Sequence, residues 1–224
     1  MKDKILFVVT SHSELGDSGR KTGYFLSEVT HPWSVLGDKF DIDVVSPKGG
    51  RPPVDGFDLN DIINKQFWDN PIWQAKMSNT MTPDDVNPQD YKAIFYAGGH
   101  GAMFDFPQNK KLAKIASSIY CSGGIVSAVC HGPAGLINIQ LPDGKYLING
   151  KKLDSFTNAE EKLNGTVKYM PFLLQSALED KGAIFDCAQP WSDHVVLDGR
   201  LITGQNPMSA LSLGKELLKK LDIM

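Results

Sequence analysis

A cysteine and a histidine stand side by side, as Cys130 and His131, where the apolar run 125–129 meets Gly132 and Pro133. A nucleophile at such a strand-to-helix turn lies at the top of a sheet, and the backbone N–H of the next residue can stabilise an oxyanion. The helix N-terminus and the adjacent imidazole predict a lowered pKa for the Cys130 thiol. We therefore favour a nucleophile over the alternative, a buried and inert cysteine.

A glycine-rich segment, YAGGHGAMFDFP at 96–107, includes the end of another apolar run and the loop after it. Gly98, Gly99 and Gly101 allow backbone amides to approach a ligand, so this loop can supply a second oxyanion donor. The segment lacks the spacing of a dinucleotide fingerprint and of a phosphate-binding P-loop, so no nucleotide is predicted. His100 either completes the turn or contacts a ligand.

Three carboxylates are candidates for acid–base chemistry. Glu28 lies in the apolar stretch of GDSGRKTGYFLSEVTHPW. It is either solvated or buried with a raised pKa, and the residues alone favour the solvated position. Glu160 and Glu161, in DSFTNAEEKL, are most simply the first turn of a helix capped by Thr157 or Asn158.

The sequence gives little support for a metal site or a disulfide. Cys121, Cys130 and Cys187 form an odd set without CxxC spacing, which argues against a disulfide framework and a zinc finger. The sequence has no HExxH motif, and the adjacent Cys130 and His131 cannot easily point at one ion, so no metal is predicted. We interpret Cys121 as closing a helix and Cys187 as part of a short strand, both with structural roles.

Apolar runs and turn residues divide the chain into alternating strands and helices. The predicted strands are 5–9, 40–45, 93–97 and 125–129, and the predicted helices are 22–36, 110–120, 133–139, 169–178 and 208–221. This order predicts a doubly wound α/β fold with a mainly parallel sheet flanked by helices, whose ligands bind beyond the carboxyl ends of the strands. The run 40–45 alternates, as a strand nearer an edge does. WSDHVVLDGRLITGQNP predicts a hairpin around Asp198-Gly199.

Residues 48–90 interrupt this alternation with prolines and aromatic–polar mixtures, and show no clear elements of their own. A loop that long is usually functional or mobile, so we interpret it as an inserted cap that covers the site or forms an oligomer contact. The chain has no linker and no internal repeat, and its 224 residues predict a single domain, 1–224, that includes this insertion.

Composition limits the classes of partner. With 42% hydrophobic and 22% charged residues, the chain has ordinary globular usage. Lys+Arg 23 against Asp+Glu 26 gives a net charge of -3 with no basic run, so neither nucleic acid nor a membrane is predicted as a structural partner. The apolar run 5–9 is too short for a signal-peptide core or a membrane span, which predicts a cytoplasmic protein.

The motifs AVCHGPAG, AGGHG, KTGYFLSE followed by HP, and GRLITGQNPMSA together resemble the ThiJ/PfpI superfamily. Over nearly the whole chain, including 48–90, they most resemble its branch of glutathione-independent glyoxalases, which are also described as heat-inducible chaperones. The resemblance implies a flavodoxin-like fold and conversion of the 2-oxoaldehyde methylglyoxal, with water, to D-lactate. It implies no glutathione, metal or other cofactor, and a homodimer.

The resemblance also assigns roles to residues. Cys130 matches the nucleophile, His131 its partner, and Glu28 the carboxyl that hydrogen-bonds the thiol. Glu161 is similar in position to the acid that orients the histidine, and the neighbouring Glu160 makes that register uncertain by one. The predicted oxyanion and substrate-binding residues are Gly99, His100 and Gly132.

Other functions stay open as alternatives. A class I glutamine amidotransferase would need a His-x-Glu pair after the cysteine, which the sequence lacks, and the insertion would narrow access for a PfpI-type peptidase. A holdase chaperone would bind through apolar surface, and deglycation of proteins or nucleotides is a further alternative. Four apolar residues at near-helical spacing suit a holdase patch, the core or a dimer interface: Phe67, Trp68, Ile72 and Trp73.

Overall fold

The computed structural model describes residues 2–223 of the chain. Its strands are β1 (Lys4–Val8), β2 (Tyr24–Phe25), β3 (Asp41–Val45), β4 (Val54–Asp55), β5 (Tyr91–Tyr96), β6 (Ile125–Val129), β7 (Lys152–Leu153), β8 (Ile184–Phe185), β9 (Val195–Asp198) and β10 (Leu201–Gly204). Its α-helices are α1 (Leu26–Leu36), α2 (Ile62–Trp68), α3 (Pro71–Ser78), α4 (Ala102–Asp105), α5 (Lys110–Cys121), α6 (Asn158–Leu163), α7 (Leu174–Asp180) and α8 (Ala210–Leu221). Short 3-10 helices lie at Pro83–Asp85, Pro88–Asp90, Gly132–Leu136, Val167–Tyr169 and Pro207–Ser209.

A six-stranded sheet in the order β3-β1-β5-β6-β10-β9 forms the centre of the fold. Its strands pair in parallel from β3 to β10, and β9 pairs antiparallel with β10. This confirms the predicted mainly parallel, doubly wound sheet, with β3 at an edge as its alternating sequence indicates. The strand order reverses beside β1, and ligands of such sheets bind at the carboxyl ends of the strands next to that reversal.

Both faces of the sheet are covered. Leu6 and Val8 face a layer that includes α4, α5 and α7, whereas Ile5 and Phe7 face a layer that includes α1, α2, α3 and α8. The two sets separate because successive strand side chains point to opposite faces. Within residues 2–223, no helix combines the length and the apolar character that a membrane crossing requires.

The hairpin between β9 and β10 is confirmed, with its turn one residue later than predicted. Asp198 pairs with Leu201, so the two turn residues are Gly199 and Arg200. Gly199 has a φ of 63°, the conformation that a two-residue hairpin turn asks of its first central residue.

Three predicted helices differ from the structure. The helix predicted at 22–36 begins at Leu26, because Tyr24–Phe25 instead pairs with Val54–Asp55 as β2 and β4. The α-helix predicted at 133–139 is the 3-10 helix Gly132–Leu136, a segment that contains two glycines and a proline, which are poor formers of α-helix. The helix predicted at 169–178 begins only at Leu174, beyond Pro171.

Segment 48–90 is not the loop without elements that its composition predicts, because it contains β4, α2 and α3. Phe67 and Trp73 are buried, and their rings lie 5.1 Å and 5.8 Å from the ring of Trp33 on α1. Helices α2 and α3 of the segment therefore extend the core beside α1. Cys121 does close α5, whereas Cys187 lies beyond β8, and both cysteines are exposed.

Candidate active site

Cys130 lies on a sharp turn that its backbone contacts hold from two sides. It follows β6 directly, with a φ of 59° that side chains other than glycine rarely adopt. Its N–H donates to Gly204 O at 2.8 Å, and its carbonyl accepts from the Phe156 N–H at 2.8 Å. Strain at a non-glycine residue persists only where the surroundings fix it, and such residues cluster at functional sites.

Glu28 lies beneath this turn, in the first turn of α1, and is fully buried. Its Oε2 accepts from the Gly98 N–H at 2.7 Å, whereas its Oε1 has no hydrogen-bond partner among the described residues. Burial raises the pKa of Glu28 to about 8, against smaller opposing effects of Cys130 and the Gly98 amide. The solvated position that the residues alone favoured is therefore wrong, because the apolar face of α1 takes this carboxyl into the protein.

The Cys130 thiol has a raised pKa, which corrects the prediction of a lowered one. Burial is the main cause, and the neighbouring Glu28 adds to it, while the Gly99 amide opposes both. The predicted stabilisation by a helix N-terminus is weak here because only a short 3-10 helix follows the turn. At rest Cys130 is a protonated thiol that must lose its proton as it reacts.

His131 connects Cys130 to Glu161. Its Nδ1 lies 3.3 Å from Cys130 Sγ, and its Nε2 lies 2.7 Å from Glu161 Oε2. A carboxylate only accepts hydrogen bonds, so Nε2 carries the proton and Nδ1 is free to accept from the thiol. Burial lowers the pKa of His131 to about 4, with a contribution from His100, so the ring is neutral near pH 7.

The two adjacent glutamates have different surroundings. Glu161 accepts from His100, His131 and the Thr166 hydroxyl. Burial alone would raise its pKa, but the hydrogen bonds from the two histidines outweigh it and place that pKa far below the usual range. Glu160 faces elsewhere: it completes the capping box of Thr157 and accepts from three further groups, the Trp191 N–H and the side-chain amides of Gln205 and Asn206.

The sequence alone left open whether His100 completes its turn or contacts a ligand. In the structure its side chain contacts Glu161 and lies beside His131. Its Nε2 lies 3.1 Å from Glu161 Oε1, and its ring centroid lies 4.2 Å from that of His131. One potential ligand atom from each of His100, His131 and Glu161 lies within 4.8 Å of the others, so these three residues could hold a metal ion. The absence of a metal stays a prediction for this protein.

Of the residues predicted to donate to the oxyanion, Gly99 and His131 line the same cavity as Cys130 and Gly132 does not. The backbone N–H of Gly99 is directed at the Cys130 sulfur, and that of His131 donates no backbone hydrogen bond among the described residues. A Cβ at Gly132 would clash with Tyr96 O, so Gly132 permits close packing beneath the turn.

The cavity over Cys130 has a volume of about 340 Å³. His100 and His131 line it beside the thiol, and Asp55 from segment 48–90 contributes to its wall. Sequence reasoning missed its apolar wall, because the residues that form it are scattered along the chain with no common motif. This wall consists of Phe25, Phe156, Trp191, Pro207 and Met208.

Known proteins resemble this chain over nearly its whole length. Residues 21–220 match the model of the DJ-1/PfpI family. Glyoxalase 3 of Candida albicans is 36% identical to the chain, over 96% of the chain and 97% of the relative. Glutathione-independent glyoxalase HSP31 of Saccharomyces cerevisiae is 35% identical, over 93% of the chain and 94% of the relative.

A solved structure gives the same result. The crystal structure of glyoxalase III from Candida albicans superposes with a TM-score of 0.90 at 34% sequence identity, covering 96% of each chain. Match length, identity and fold therefore agree, and the chain belongs to the DJ-1/PfpI family.

Proposed function

We propose that this protein is a glutathione-independent glyoxalase, which converts methylglyoxal and water to D-lactate. One observation carries the proposal: a single cavity holds Cys130 in contact with His131, His131 is bound to Glu161, and the buried carboxyl Glu28 lies next to the thiol. The similarity to proteins named glyoxalase 3 and glutathione-independent glyoxalase supports the same reaction.

The first step joins the substrate to the enzyme. Ionised Glu28 takes the thiol proton as Cys130 Sγ attacks the aldehyde carbon, C1, and passes that proton to the aldehyde oxygen. The backbone N–H groups of Gly99 and His131, which line the same cavity, stabilise the oxygen while it carries negative charge. The product is a thiohemiacetal, and Glu28 is ionised again.

The second step moves hydrogen within the bound substrate. Glu28 removes the C1 proton to form an enediol and returns a proton to C2, while the C1 hydroxyl proton passes to the oxygen on C2. C1 is thereby oxidised to a thioester and C2 reduced to an alcohol. The two electrons stay within the substrate, so the balance needs no redox cofactor.

The third step releases the product. His131 accepts a proton from water, which attacks the thioester, and the leaving sulfur takes a proton to restore the thiol. Ionised Glu161 suits this step because it favours the imidazolium that forms when His131 takes up the proton. The products are the 2-hydroxy acid and the free enzyme.

The structure weakens the holdase alternative in its proposed form. Phe67 and Trp73, two of the four residues suggested for a chaperone patch, are buried in the core. A continuous apolar surface at 67–73 is therefore missing, and of the four residues only Ile72 is largely exposed.

We further propose a homodimer that uses segment 48–90. Its side chains Phe57, Ile62 and Ile72 are apolar and more than half exposed, which suits a contact between copies. Sedimentation of the Ile62→Asp/Ile72→Asp variant as a monomer beside a dimeric wild type would support this contact. Equal masses for the two proteins would refute it.

We also propose that the chain folds as one domain and acts in the cytoplasm, without a nucleic acid or membrane partner. Free Cys121, Cys130 and Cys187 suit a reducing compartment. A single cooperative unfolding transition observed by both circular dichroism and tryptophan fluorescence would support one domain. Two separated transitions would contradict it.

The direct test of the function uses purified protein and methylglyoxal without glutathione. D-lactate should form at a rate that added glutathione does not increase. Formation of lactate only after glutathione is added would contradict the proposal, as would consumption of methylglyoxal without lactate.

A further inference from the structure

The cavity over Cys130 is much larger than the proposed substrate needs. Its volume of about 340 Å³ lies in the range of pockets that enclose drug-sized ligands, about 300–1,000 Å³. Methylglyoxal carries only a methyl group beyond its two carbonyl carbons, and therefore leaves most of this space unfilled. The remaining space has a chemical character of its own.

The wall beside the thiol is apolar and in part uncovered. Phe156 is buried, and its ring centroid lies 4.5 Å from that of His131 and 5.4 Å from that of Trp191. Trp191 is 43% exposed and Met208 is 55% exposed, although both line the cavity. Large apolar side chains left open around a nucleophile suit a ligand with an apolar group of its own.

Trp191 is held in this position at an energetic cost. Its φ of 65° lies in the left-handed region, which a bulky residue rarely adopts. Its N–H donates to Glu160 Oε1 at 2.8 Å, and the Gln205 and Asn206 side chains donate to the same oxygen at 3.0 Å and 2.8 Å. A buried carboxylate with this many donors fixes the strained backbone, and observed strain of this kind is a reason to infer a function.

We infer that Trp191, together with Phe156 and Met208, forms an apolar subsite for the substituent of the 2-oxoaldehyde. The substrate class then includes aldehydes with an aryl or bulky alkyl group, and Trp191 determines this specificity. The inference rests on the proposed function, because it places C1 of the aldehyde at Cys130. The balance of the reaction is unchanged: phenylglyoxal and water give mandelate, with C1 oxidised and C2 reduced within one molecule.

The first experiment compares kcat/KM for phenylglyoxal and methylglyoxal in wild type, Trp191→Ala and Trp191→Phe. Wild type should prefer phenylglyoxal, and Trp191→Ala should lower the phenylglyoxal-to-methylglyoxal ratio by about tenfold, the lower end of what burial of an aromatic side chain contributes. Trp191→Phe should keep most of the preference. Phe57→Ala, which removes a similarly exposed ring outside the cavity, should leave the ratio unchanged.

The second experiment separates this inference from the proposed function. Cys130→Ser is titrated with mandelate and with lactate in a calorimeter, which measures the subsite without turnover. Tighter binding of mandelate by about tenfold, lost in Cys130→Ser/Trp191→Ala, supports the subsite even if neither aldehyde is converted. Conversion of methylglyoxal with equal binding of both acids would overturn the inference and leave the proposed function intact.

A second copy of the chain is the competing occupant of this surface. In that case Trp191→Ala would change the molecular mass in solution, and the substrate ratio would stay the same. That result would overturn the assignment of Trp191 to substrate binding.

Discussion

Substituting Glu28 by glutamine should separate catalysis from stability. The carboxyl is fully buried, and burial raises its pKa from an ordinary 4.5 to about 8. Glu28→Gln keeps an acceptor for the Gly98 N–H but cannot carry a proton between C1 and C2. We expect kcat/KM to fall by about 10²–10⁴-fold, the usual contribution of a general acid–base group.

The same pKa shift sets the effect on stability. A raised pKa in the folded state contributes stability that is fully present below pH 4.5 and is lost as the pH rises through about 8. Each pH unit corresponds to about 1.4 kcal/mol. Relative to its value below pH 4.5, this contribution to the free energy of unfolding is therefore smaller by about 1 kcal/mol at pH 5 and by about 4 kcal/mol at pH 8. The free energy of unfolding of wild type, relative to Glu28→Gln, should therefore fall by about 3 kcal/mol across this range.

Urea unfolding of both proteins at pH 5, 6, 7 and 8 measures this difference. The comparison cancels titrations that the two proteins share, and the offset from burying an amide is the same at each pH. Glu14→Gln is the control: the ion pair of Glu14 with Lys21 lowers its pKa, so its carboxyl is ionised in both states over this range. A constant difference between wild type and Glu28→Gln from pH 5 to pH 8 would refute the reasoning.

Three further predictions concern the site. Because Glu28 must be ionised to act as a base, kcat/KM should rise with pH and level off above about 8, and a profile that is flat from pH 6 to 9 would contradict this role. Gly98→Ala should reduce D-lactate formation more than tenfold and lower the free energy of unfolding by about 1–3 kcal/mol. The reason is steric, because the added Cβ would lie 2.5 Å from Glu28 Oε2 and 2.7 Å from the His131 backbone nitrogen. Unchanged urea unfolding would argue against this packing. Prolonged dialysis against EDTA should leave activity unchanged, since no step of the proposed reaction uses a metal, whereas loss of activity that zinc restores would assign a metal to His100, His131 and Glu161.

The local sequence was sufficient for the sheet and for the turn at Cys130. The run 125–129 follows two glycines and ends at Cys130, and in a strand covered on both faces almost every position is apolar. The hairpin could also be predicted locally, because Gly199 can adopt the positive φ that its turn requires. Segment 48–90 was harder because the strand β4 has only two residues, and the near-helical spacing of Phe67, Trp68, Ile72 and Trp73 crosses the break between α2 and α3.

The electrostatics of the site depend on long-range contacts. A nearby imidazole and a following helix suggested a lowered thiol pKa, but the burial of Cys130 and the approach of Glu28 arise from residues far apart in the chain. Contacts between distant segments also decide which of the glutamates 160 and 161 meets His131. Trp191 carries no local signal, because its strained backbone depends on Glu160, which lies 31 positions earlier.

The central claim is that Cys130 is the nucleophile of a glutathione-independent glyoxalase. The most direct measurement is D-lactate formed from methylglyoxal without glutathione by wild type, Cys130→Ser and Cys187→Ser. The last replaces an exposed thiol outside the cavity. We predict D-lactate from wild type and Cys187→Ser and none from Cys130→Ser; comparable D-lactate from Cys130→Ser, or none from wild type, would contradict the account.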